Sequence, residues 1–220
     1  MPDLAQLLER SHQYWDFLAE LIESAVHYED RVEPNPVEAA AQLSFEHAHA
    51  LRVLFEAGAP NSASAMLRLQ YEALLRSAWL LYGATEARAA KASAPLNVET
   101  AQAAKNIRSA EDMLLDLERA LQATPQLRGL VLPLREIRDA AWQSMNSFVH
   151  SGLHPLTRVQ TGFPTQLAVN LVKNSNGMLH MAARIAARLT GSWEVATAVE
   201  QCYLRFQDCL PLLPSVPPEP

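Results

Sequence analysis

Cysteine is almost absent from this chain: only Cys202 and Cys209 occur in 220 residues. That rules out a disulfide framework as the source of stability, and no C-x-x-C pair is present to complete a zinc site. Seven residues apart, the two thiols fall on one face of a predicted helix, where they cannot bond to each other, and they read as reduced core thiols. Glycine is also scarce, at seven residues. No glycine-rich phosphate loop, dinucleotide fingerprint or nucleophile elbow is present. No apolar run approaches the roughly 18–20 residues needed to cross a bilayer, and Met1-Pro2-Asp3-Leu4 does not open a signal peptide. The expectation is a cytoplasmic protein with no membrane partner. Alternating apolar and polar residues with hairpin turns are missing, as are repeats at solenoid periods, so β and solenoid folds are excluded.

What is present is a globular composition, 49% hydrophobic and 19% charged, with apolar residues recurring at helical spacing. It predicts an all-α protein, a single helical bundle of six to eight helices over residues 1–209, followed by a proline-rich tail over 210–220. The first helix starts after Asp3 and runs to about Glu29, with a stripe of Leu4, Leu8, Trp15, Leu18, Ile22 and Val26. Asn35-Pro36-Val37-Glu38 joins an N-cap, a first-turn proline and a glutamate at the third helical position, and predicts a second helix ending before Gly58 and Pro60. Asn61 or Ser62 opens the third helix, which runs to Tyr82, is apolar around most of its circumference and should be central. A short helix near Thr85–Ala92 and a longer one from Val98 to Ala123 follow. The next begins near Pro133 and ends around His150 to Gly152, residues 153–162 read as a loop, and the last two helices run from Pro164 to Gly191 and from Trp193 to Cys209. Asn174-Ser175-Asn176-Gly177 is a weak helix former that should distort the first of these two.

The net charge of −6 argues against an indiscriminate nucleic-acid binder but hides an asymmetry. Residues 1–123 carry ten Lys/Arg against eighteen Asp/Glu, residues 124–192 seven against two, and residues 193–220 one against four. A basic segment thus sits inside an acidic protein.

Four polar constellations invite a functional reading. Glu9-x-x-His12 and Glu46-x-x-His49 match the Glu-x-x-His pattern of bundle di-iron sites, but periodicity turns them away from the apolar stripes, so no metal or other cofactor is expected. Arg68, Glu72 and Arg76 are spaced four apart on the apolar third helix, where burial would oblige them to pair with one another or with a neighbouring helix; the plain alternative is a half-exposed ion pair. Asn146 and His150 share one side of a helix end with Asp139, and His154 and Arg158 follow closely, an arrangement suited to phosphate binding or acid–base work on RNA. A histidine near a helix C-terminus is equally explained by the helix dipole. Lys173, His180, Arg184 and Arg188 form a cationic stripe that reads as a solvated face.

The run Met145-Asn146-Ser147-Phe148-Val149-His150-Ser151-Gly152 resembles the HEPN (higher eukaryotes and prokaryotes nucleotide-binding) superfamily of helical bundles. RNase members of that superfamily carry Arg-x4–6-His, often with Asn after the arginine. Here Met145 stands at the arginine position, so the motif is degenerate, and Arg138 or Arg158 are the cations nearby in sequence. With Arg68-x-x-x-Glu72, the segment also looks like bacterial helical families of unknown function found near defence genes. The resemblance implies a homodimer and an RNA- or nucleotide-associated accessory protein of weak or lost catalysis, acting in bacterial defence or stress. It assigns His150 and Asn146 to the catalytic position and Arg68, Glu72, Arg138, His154 and Arg158 to ligand binding. The competing expectation is a non-catalytic protein–protein interaction module, with a bundle metalloenzyme third.

Overall fold

A computed structural model describes residues 3–25, 35–95, 97–103 and 108–211. Among these the regular structure is entirely helical, in the order α1 (Leu4–Glu23), α2 (Pro36–Glu56), α3 (Pro60–Tyr82), α4 (Glu86–Ala92), α5 (Val98–Ala103), α6 (Ala110–Ala123), α7 (Arg128–Val149), α8 (Leu153–Thr161), α9 (Thr165–Thr190) and α10 (Trp193–Arg205), with short 3-10 turns at Pro125–Leu127 and Gln207–Cys209. No helix among the described residues is long and apolar enough to cross a membrane.

The apolar circumference of α3 does what its sequence predicts. Leu67, Tyr71, Leu74, Leu75, Ala78 and Trp79 are buried, and α3 packs against α2, α6, α7 and α9. Each leucine fully buried in this way contributes about 1.5–3 kcal/mol. At the start of α2, Asn35 Oδ1 accepts from the Val37 amide with Pro36 at the first helical position. Pro60, rather than Asn61 or Ser62, is the first residue of α3, which costs nothing because a first-turn N–H would be unpaired anyway.

Several expected boundaries move, each for a local reason. α1 stops at Glu23, short of Glu29, and of the expected stripe Leu8 and Leu18 are buried while Leu4, Trp15 and Ile22 pack partly buried against the core; the buried face also takes in Leu7, Ser11 and Tyr14, whose hydroxyl lies 2.7 Å from Nδ1 of buried His180. Val26 and the tail over 212–220 lie outside the described residues. The span from Val98 to Ala123 is not one helix, since Ser109 caps a new start by accepting from the Asp112 amide at 3.1 Å. α7 begins five residues before Pro133 and carries that proline inside. Proline has no N–H to give the carbonyl four residues back, and the freed Gly129 carbonyl instead accepts from Arg184 Nη1 at 3.4 Å.

Residues 153–161 form α8 where a loop was expected. Its apolar residues at three-residue spacing, Leu153, Leu156 and Val159, are 77%, 56% and 76% exposed, so there was no buried counterpart to reveal the helix in the sequence. α9 runs through Asn174–Gly177 undistorted. Ser175 Oγ donates to Gln70 Oε1 at 2.6 Å, and Asn176 Nδ2 donates to Ser11 Oγ and to the Cys209 carbonyl, both at 2.8 Å. The weak helix formers are thus held by tertiary hydrogen bonds. Gly177 admits Pro211, whose Cγ would stand 2.8 Å from an added Cβ. α10 ends at Arg205, so Cys209 lies in a 3-10 turn rather than on the helix of Cys202; both thiols are free and buried. Burial pushes Cys202 up to about 11 and Cys209 up to about 12.

His180 is a correction to the expected cationic stripe. It is 7% exposed, and burial lowers its pKa from 6.5 to about 4, so it is neutral in the fold. In the unfolded chain it takes up a proton below about pH 6.5. The stability it secures is therefore complete above that pH and lost as pH falls towards 4. Urea unfolding at pH 7 and pH 4.5 should show a loss of about 2–3 kcal/mol in the native protein that is absent from the His180→Gln variant; parallel losses in both would show that His180 does not titrate as described.

Candidate functional site

The polar groups on the inner part of α3 meet those of α7 at one place. Arg68 donates through Nη2 to Glu72 Oε1 at 2.6 Å, one turn along α3, and through Nη1 to Asn146 Oδ1 on α7. Its guanidinium carbon lies 3.5 Å from the centroid of the Trp142 ring. The Arg68 side chain is only 13% exposed, so a permanent cation is held in a largely dry setting by a carboxylate, an amide and an aromatic face. Such a stack is worth about 0.5–2 kcal/mol, more as water is excluded.

A second guanidinium reaches the same indole. Arg138 lies 4.5 Å from the Trp142 ring centroid, and its Nε stands 2.9 Å from Glu111 Oε2 on α6. Arg135, one turn earlier, donates to Glu118 at 2.7 Å and to Glu111 at 3.0 Å. Those carboxylates hold the Arg135 pKa above its ordinary value. Below the indole, the Tyr71 hydroxyl donates to the Leu134 carbonyl at 3.0 Å, and its ring meets Trp142 edge-on at 6.2 Å. Burial raises the Tyr71 phenol well above its usual range, so it serves as a neutral donor. A hollow of about 270 Å³ opens beside this stack, lined by Arg138, Asp139, Ala140, Trp142 and Gln143.

Of the residues singled out in the sequence, Arg68, Glu72, Asn146 and Arg138 thus come together around Trp142. His150 is exposed where α7 ends, one helical turn on from Asn146. The turn that follows passes through Ser151 in a left-handed conformation (φ 53°), then Gly152, where an added Cβ would lie 2.7 Å from Ser147 Oγ. The same Ser147 Oγ accepts from the His154 amide at 3.0 Å, so Gly152 lets α8 dock on the end of α7. His154 is exposed, its ring 6.0 Å from that of Phe148, and Arg158 is half-buried in the last turn of α8. His154 and Arg158 make no polar side-chain contact with the Trp142 stack. Met145, at the position of the motif's arginine, is 2% exposed and part of the core.

Three of the seven cations of the basic segment pair with acids of the flanking segments. Arg135 and Arg138 face Glu111 and Glu118, and Arg184 pairs with Glu200 at 2.5 Å. Among the described residues, no group of three or more His, Cys, Asp or Glu side chains is arranged to hold a metal ion. Of the two Glu-x-x-His pairs, His12 turns to Glu56, 2.7 Å away, and its ring lies 6.1 Å from that of His49.

Sequence reasoning missed Trp142, the hub of the site, because an isolated tryptophan on an amphipathic helix reads as core. Spacing was the available signal: Trp142 lies four residues after Arg138 and four before Asn146, on one stripe of α7. Arg52 was missed too. It is fully buried, with no hydrogen-bond partner for its guanidinium among the described residues. Burial lowers its pKa to about 10, opposed by the charges of Asp16 and Glu56.

Comparison with known proteins places the chain without assigning it a task. Residues 41–212, more than three quarters of its length, match DUF6988, a family of unknown function. The chain belongs to this family. The match takes in α3 and α7 and therefore every residue of the Trp142 cluster. No curated protein and no solved structure matches the chain.

A double-mutant cycle tests the clasp itself. Arg68→Met and Trp142→Leu, singly and together, should show a coupling of about 1–2 kcal/mol in unfolding free energy. Additivity within about 0.5 kcal/mol would mean that the two side chains do not support each other.

Proposed function

We propose that this DUF6988 member is a HEPN-like accessory protein that binds RNA or a nucleotide at the hollow beside Trp142 on α7, with little or no cleavage. The observation that carries this reading is the contact of Arg68 with Asn146. The motif's own arginine position is a buried methionine, yet a guanidinium from a different helix stands beside the motif asparagine. Arg68 and Arg138 offer cations for a phosphate, and the hollow beside Trp142 offers an aromatic edge for a base. His150, one turn on and open to water, is the motif histidine. Binding is favoured over turnover because Arg68 already donates to Glu72 and Asn146 and would have to release one of them to follow a developing charge. The acidic balance of the protein and the internal pairing of Arg135 and Arg184 limit the number of phosphates engaged. A role in bacterial defence or stress follows from the same resemblance.

The test is titration of a labelled single-stranded RNA at several salt concentrations. Affinity should fall with salt at a log–log slope of about −0.7 per phosphate contacted. Arg138→Met should lower that slope by about one contact, and His150→Ala should abolish binding. Salt-insensitive binding, or binding equal in His150→Ala, would remove the reading.

A second reading is favoured by α8. Leu153, Leu156 and Val159 expose an apolar line beside Val149, itself 37% exposed, and such a face suits contact with a partner protein, including a second copy as in a homodimer. Light scattering at increasing concentration should then find a dimer that Leu153→Glu with Val159→Glu converts to a monomer; a wild-type monomer throughout would remove the homodimer.

A further inference from the structure

The junction of α3, α4 and α6 holds a charge imbalance that no helix-packing requirement explains. Asp116, on α6, has a side chain only 7% exposed. It accepts from Trp79 Nε1 at 3.0 Å, from Arg108 through Nε at 3.0 Å and Nη2 at 2.8 Å, from Arg119 Nη1 at 2.9 Å and from Arg88 Nη1 at 3.4 Å. Despite its burial, these donors hold the Asp116 carboxyl below the usual carboxylate range. One carboxylate offers about four lone-pair sites, whereas each guanidinium brings five donors and a permanent charge. Three positive charges thus converge on one negative charge.

Arg108 and Trp79 suffice to satisfy Asp116, as a near-bidentate pair and a neutral donor. Arg88 and Arg119 add mutual repulsion to a group that does not need them, and among the described residues each gives one hydrogen bond, to Asp116, with side chains 42% and 68% exposed. Neither they nor Arg108 pairs with any other carboxylate among the described residues. Glu111 and Glu118 are committed to Arg135 and Arg138, and Glu111 lies about 140° around α6 from Asp116. The surplus charge therefore belongs to a second face of α6, separate from the Trp142 cluster.

We infer that Arg88, Arg108 and Arg119, gathered by Asp116, form a binding site for a phosphate group. Asp116 acts as the template that holds three guanidiniums together, and the phosphate supplies the missing negative charge by accepting from the outward donors of Arg88 and Arg119. Planar, multidentate donors of this kind match the oxygens of a phosphate. The phosphate can be inorganic or part of an RNA backbone, and these sources differ in their salt response.

The experiment compares wild type with the Arg88→Met, Arg119→Met double variant, which leaves Arg108, Asp116 and Trp79 intact and should fold, as circular dichroism will verify. Calorimetric titration with inorganic phosphate, at ionic strength held constant with sodium chloride, should give saturable binding to wild type and binding at least about tenfold weaker to the variant. Absent binding, or equal binding in both proteins, would overturn the site. If RNA is the source, the variant should also lower the RNA salt slope by about one to two contacts; an unchanged slope alongside lost phosphate binding would assign the site to free phosphate. The His150→Ala protein should bind inorganic phosphate as wild type does, so failure of the Trp142 reading leaves this site standing, and the reverse also holds.

Discussion

A guanidinium that cannot shed its charge lies on α3, a central helix of the bundle, and much of the molecule is arranged around that fact. Arg68 is 13% exposed, and leaving such a cation unpaired away from water would cost several kcal/mol. Glu72 answers it from one turn along the same helix, but a single carboxylate leaves most of the donors idle. The remainder comes from α7, through the Asn146 amide and the Trp142 ring. This need sets the register of α7 on α3, and the same register brings the Tyr71 hydroxyl to the Leu134 carbonyl. Arg138 then falls on the outer side of Trp142, within reach of Glu111 on α6. A polar constraint, rather than apolar packing alone, specifies how the two helices cross.

The distribution of charge follows a similar logic. The basic middle of the chain looks in sequence like a surface for a polyanion. In the fold, three of its six arginines meet acids of the flanking segments, Arg135 and Arg138 those of α6 and Arg184 that of α10. The charge asymmetry of the sequence is thus partly resolved by contacts between the basic middle and the acidic segments that flank it. The two places proposed for a ligand are local, the rim of the Trp142 hollow and the cluster of three arginines on Asp116. Both suit a few phosphates better than a long polyanion tracked along its backbone.

Legibility in the sequence varied with the kind of signal. The start of α2 was readable because Asn35-Pro36-Val37-Glu38 states its geometry locally, and the centrality of α3 was readable from an apolar surface that only enclosure can explain. The stacked charges Arg68 and Glu72 were visible as an anomaly on that surface. What stayed hidden were features decided by distant neighbours. His180 looked like one cation among several until Tyr14, 166 residues away, was placed against it. The run Asn174–Gly177 looked like a break until Gln70, Ser11 and Cys209 supplied its hydrogen bonds. α8 was hidden for the opposite reason, since its apolar line is mostly exposed among the described residues and so resembled a loop. Trp142 was hidden by its ordinariness, because a tryptophan on an amphipathic helix needs no explanation until two guanidiniums lie over it.

The claim that the Arg68–Trp142 clasp is where this protein meets its ligand is most directly examined by nuclear magnetic resonance. The side-chain N–H signals of Arg68 and Arg138 and the indole N–H of Trp142 would be followed while a short single-stranded RNA is added. The account predicts that these three signals shift together and saturate at one concentration, while the indole signals of Trp15 and Trp193 stay in place. Shifts confined to α8 or to other tryptophans, with the clasp signals unmoved at saturating RNA, would contradict it.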